Sequence, residues 1–143
     1  MRVAAMLFIL LALSGCSSGT WEDDAANWKR ALGINLPEGI ELVHSHYWRS
    51  AHWTMEYAYF FVLKDSPAAR EMVFKWDEMK RYENADELRI PVDGFFNDKP
   101  TWFVPKKLEQ YEIWIIKDPA GRGNFRLFID KETKEMHITD YQV

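Results

Sequence analysis

The chain has one cysteine among 143 residues. A disulfide within the monomer is therefore excluded, and the fold must be held by packing. No apolar run reaches the roughly 20 residues that a helix needs to cross a bilayer. No basic block is present either: 18 Lys+Arg stand against 22 Asp+Glu with the signs interspersed, for a net charge of −4. That balance argues against nucleic acid and against a polybasic membrane patch. G-x-S-x-G is missing. Gly121-Arg122-Gly123-Asn124 lacks the Lys, the Ser/Thr and the following helix of a phosphate loop, so it reads as an exposed turn. Repeats and low-complexity segments are absent. Aromatic residues are what the chain has in plenty, with seven Trp, six Tyr and nine Phe, and each buries a large area.

The single cysteine has a telling position. Met1-Arg2 supplies one positive charge, residues 3–13 are an unbroken apolar run, and Leu13-Ser14-Gly15-Cys16 comes next. The run suits the apolar region of a signal peptide and is too short to span. These residues resemble the lipobox of bacterial lipoproteins, a likeness confined to the first 16 residues. It implies cleavage before Cys16, a diacylglycerol on its sulfur, and a further acyl chain, such as palmitate, on the new amine. Ser17, where an aspartate would favour inner-membrane retention, implies the outer membrane with the domain facing the periplasm. One acyl chain holds a protein only marginally, at about 0.8 kcal/mol per buried CH₂, whereas three hold it essentially permanently. The expected organisation is a lipoprotein signal peptide over residues 1–15, a short tether over 16–20, and a single domain over 21–143.

Periodicity predicts a helix over residues 21–32, with Trp21, Ala25, Trp28 and Leu32 on one face and Gly33 as its stop. Alternation predicts a strand over 40–48, with Ile40, Leu42, His44, His46 and Trp48 on one side. A second strand is expected over 53–63, apolar on both faces from Ala58 and hence central. Ser66-Pro67 caps a helix running to residue 82, with Ala69, Met72, Val73, Trp76 and Met79 as its stripe and Phe74 off it. Residues 83–105 resist assignment beyond a short edge strand over 88–92. Strands over 111–117, 125–130 and 135–141 complete the chain. Their hairpin turns Phe125, Leu127, Ile129, Met136 and Ile138 to the core. The expected fold class is α+β: two layers, a mainly antiparallel sheet of about five strands packed on one main helix, with a short N-terminal helix. Beyond residue 16 the chain resembles no family closely enough to name.

Two clusters stand out as candidate sites. His44, His46 and His52 fall close together, and an H-x-H pair on one strand face can ligate zinc. Pairing Trp48 with Trp53 leaves His52 apart. A one-residue slip instead gathers the three histidines and Glu56, but turns Tyr57, Tyr59 and Phe61 away from Ile40 and Leu42. The competing interpretation is imidazoles bonded to their neighbours. The second cluster is aromatic: Phe95, Phe96, Trp102 and Phe103 in a loop are core plugs, anchors for a partner or side chains that dip into the nearby membrane interface, and Lys106-Lys107 beside them suits an anionic surface. No nucleophile–base pair is defined and no cofactor motif appears. The leading expectation is a non-enzymatic, lipid-anchored envelope protein, held to the membrane through Cys16, that binds, inhibits or assists another envelope protein. The alternatives are a small-ligand or metal-binding periplasmic domain, hydrolytic through His44, His46 and Glu56, and a structural component of an envelope assembly.

Overall fold

A computed structural model describes residues 18–51, 56–75, 79–82, 99–116 and 124–142. The expected signal peptide, Cys16, His52, Trp76, the expected edge strand over 88–92, Phe95 and Phe96 lie outside these.

The described residues form seven strands: β1 (Gly19–Glu22), β2 (Leu42–Arg49), β3 (Tyr57–Leu63), β4 (Met79–Tyr82), β5 (Tyr111–Ile116), β6 (Arg126–Asp130) and β7 (Met136–Gln142). They make one antiparallel sheet in the order β1-β2-β3-β7-β6-β5-β4. The described helices are short: α1 (Asn27–Leu32), α2 (Pro67–Phe74) and a 3-10 turn at Leu108–Gln110. The fold is therefore mainly β. The expected α+β layering of about five strands on one main helix is overturned, because both expected helices give up residues to strands.

Packing strength explains the trade. Trp21 leaves the expected helix for β1, where its ring stacks on Tyr47 at 5.7 Å and receives the Arg30 guanidinium at 4.9 Å. Burying such a ring is worth about 1.5–3 kcal/mol; the acidic first turn of a longer helix offers about 0.3–1. At the other boundary α2 stops at Lys75, whose N–H bonds the Glu71 carbonyl. Met79 and Tyr82 then pack from β4 into the two cores on opposite faces of the sheet. Charge pairs four apart, such as Asp77 with Arg81 in the sequence, give an isolated helix only about 0.2–0.5 kcal/mol and cannot hold those residues helical.

Other expectations hold. Ser66 caps α2 by accepting a 3.1 Å bond from Ala69 N–H, with Pro67 at the first helical position. Gly33 ends α1 at φ 73°. β3 lies between β2 and β7, buried from Ala58 to Leu63. Phe125, Leu127, Ile129, Met136 and Ile138 share one core. In that core α1 and α2 cover one sheet face, with Trp28 against Phe61 at 5.2 Å and with Ala69 and Val73 buried. The opposite face carries Ala58, Phe60, Tyr111, Ile113 and Phe128, and Phe103 and Val104 pack onto it from the loop after residue 99.

Candidate functional site

The β2–β3 hairpin decides which of the sequence candidates meet. Trp48 pairs with Ala58, His46 with Phe60 and His44 with Val62. Neither expected register occurs, because the connection is longer: Ser50 N–H bonds the Glu56 carbonyl at 3.0 Å and closes the hairpin there. Glu56 thus sits six residues along the strand from the level of His44, roughly 20 Å away at strand rise. The set of His44, His46 and Glu56 is not gathered. Among the described residues, no three His, Cys, Asp or Glu side chains are placed to hold a metal ion.

A bulge between Leu42 and His44 breaks the expected alternation. The extra residue, Val43, reverses the facing of the rest of the strand. Ile40 and Leu42 belong to the helix-covered core, while Trp48 packs into the opposite one. His44 and His46 lie on the side of Trp48, where two carboxylates of the β1 end reach them.

Glu22 is the register partner of His46, and its carboxylate contacts His46 Nδ1. Asp23 turns left-handed at φ 45°, a conformation that Asp tolerates better than most residues. Its N–H then bonds Ser45 O at 2.6 Å, and its Oδ1 accepts Ser45 N–H at 2.9 Å. The same Oδ1 lies 3.3 Å from His44 Nδ1. Each imidazole is thus oriented by a carboxylate on Nδ1, and the competing interpretation of histidines bonded to their neighbours describes both. His46 is buried and meets Phe60 edge-on at 5.7 Å; His44 is half-buried and stacks on Trp102 at 5.0 Å.

Behind this pair lies a polar brace that sequence inspection missed. Asn27 is wholly buried. Its Nδ2 donates to Trp21 O at 2.9 Å and to Ser45 Oγ at 3.1 Å, and its Oδ1 accepts from Arg30 at 2.8 Å. Asp24 accepts Ala26 N–H at 2.8 Å and Arg30 at 2.7 Å. Those two bonds, the backbone one first, hold its carboxyl below the usual range. α1, β1 and β2 are locked together, so the surface beside them has fixed geometry.

That surface is a shallow depression of about 270 Å³. Ala25, Leu36, Leu42 and Val43 supply apolar walls, and Asp23, His44 and Ser45 a polar rim. Val43 is 37% exposed, and Ile34, in the segment after α1, 53%.

The aromatic loop divides. Phe103 is fully buried and touches Phe60, Phe128 and His137, with ring centroids at 4.9, 6.0 and 5.7 Å; it is a core plug. Trp102 is half-buried and stacks on His44, which lines the depression. Lys106 is not available to an anionic surface as expected, since Asp130 and Glu132 each take its Nζ at 3.0 Å. His137, which sequence inspection passed over, accepts Val104 N–H on Nδ1 at 3.2 Å. Burial pushes its pKa down to about 4, so it is a neutral structural acceptor. Its only sequence signal is its alternation with Met136 and Ile138.

No helix among the described residues is long and apolar enough to cross a membrane. Comparison with family models, with curated proteins and with solved structures finds no match, so the reading of this site stands on its own geometry.

Proposed function

We propose that this chain is a lipid-anchored protein of the bacterial envelope that acts by binding another envelope protein. The observation that carries the binding is the bulge at Val43. It turns an apolar side chain outward beside a depression walled by Ala25, Leu36 and Leu42, and Ile34, two residues before Leu36 in the chain, is exposed. A small apolar centre with a polar rim is the pattern of a protein contact. The brace through Asn27 supports the reading, because a preformed surface loses little entropy on docking. Attachment through Cys16 rests on the lipobox-like Leu13-Ser14-Gly15-Cys16, and the outer membrane on Ser17. The tether is short, so the partner is met close to the membrane.

The test is capture of the lipidated protein with its partner from the membranes in which it is made. Val43→Glu puts a charge on an exposed side chain and should change stability by less than about 0.5 kcal/mol. It should abolish the captured partner that wild type retains. Equal capture by wild type and V43E would contradict the assignment of this surface.

A further inference from the structure

The position of β1 orients the domain on its membrane. We propose that the sheet end carrying Gly19, Arg49, Tyr57 and Gln142 lies against the lipid surface and that the β6–β7 turn points away from it. This inference rests on the lipid-anchored reading of the chain. Gly19 opens β1 three residues after Cys16, a stretch spanning at most about 11 Å. Gly19 pairs with Arg49, Arg49 with Tyr57, and Tyr57 with Gln142. One row of the sheet therefore sits level with the anchored residue across four strands. The row of Leu42, Leu63 and Met136 marks the other end, about 20 Å away at strand rise.

The distal end carries the exposed ions Glu41, Lys64, Glu109, Lys131, Glu132 and Lys134. The short tether thus sets the orientation, and the Val43 depression, beside Leu42, lies toward the distal end.

Acylation of Cys16 leaves any introduced cysteine as the sole free thiol. Ala51→Cys and Gln142→Cys at the tethered end, and Thr133→Cys at the distal turn, are made in the full chain, and all three positions are exposed. Each lipidated protein is labelled with a fluorophore and reconstituted into phosphatidylethanolamine–phosphatidylglycerol vesicles containing headgroup-nitroxide lipid. Quenching at 51 and 142 should exceed that at 133 several-fold. Equal quenching at all three, or the strongest at 133, overturns the orientation while the anchor stands. A purified chain whose mass lacks diacylglycerol removes the anchor and the orientation with it.

Discussion

His137 couples the aromatic loop to the sheet through one proton-sensitive bond. Its Nδ1 accepts Val104 N–H at 3.2 Å, and burial holds its pKa at about 4, against about 6.5 in an unfolded chain. As pH falls the unfolded chain takes up the proton first. The contribution of this residue is therefore complete above about pH 6.5 and is lost as pH falls toward 4, by on the order of 3 kcal/mol. Urea denaturation of the wild type should show this loss between pH 7 and 4.5. His137→Gln keeps an acceptor without the titration, so it should lose measurably less over the same interval; parallel pH profiles would contradict the role. Phe103, fully buried beside it, should cost about 3–5 kcal/mol when cut to Ala, read from the same denaturation curves. A loss below about 1 kcal/mol would mean the ring is not a core plug. Alternation made the Met136 and Ile138 facing legible in the sequence. The polar partner of His137 was not, because Val104 is 33 residues away along the chain.

At the scale of elements, β1 is held on its inner side by β2 and by the Asn27 brace. Asn27→Ala leaves Trp21 O and Ser45 Oγ without that donor, at a cost of about 1–3 kcal/mol. Amide exchange across β1 should quicken more than exchange in β6 and β7; uniform quickening would mean that the brace is not local. Gly19 has its own constraint, since a Cβ there would run into the Trp21 ring. The longer strands β2, β3, β5, β6 and β7 were legible because alternation over five or more residues separates strand from helix. β1 and β4 have four residues each, too few for that distinction, and Trp21 and Met79 fit a helical stripe equally well. The bulge at Val43 leaves no local mark in composition. It decided the facing of His44 and His46, which is why the candidate site was only half legible: the two histidines share a face, but among the described residues their carboxylate partners are Glu22 and Asp23 rather than Glu56.

At the scale of the molecule, β1-β2-β3 and β7-β6-β5-β4 are two antiparallel runs joined where β7 pairs with β3 along its whole length. The chain's aromatic content is spent largely on closing this sheet from both sides, by Trp28 on one face and Phe103 on the other. With no disulfide available from one cysteine, that two-sided packing carries the fold and leaves the thiol for the proposed anchor. The proposed orientation on the bilayer and the proposed location in the envelope both depend on that anchor. Intact-mass spectrometry of the protein extracted from membranes tests it most directly. A mature chain that begins at Cys16 and carries diacylglycerol with an N-acyl chain is the expected result. A free thiol at residue 16, or a chain that starts elsewhere, would contradict it.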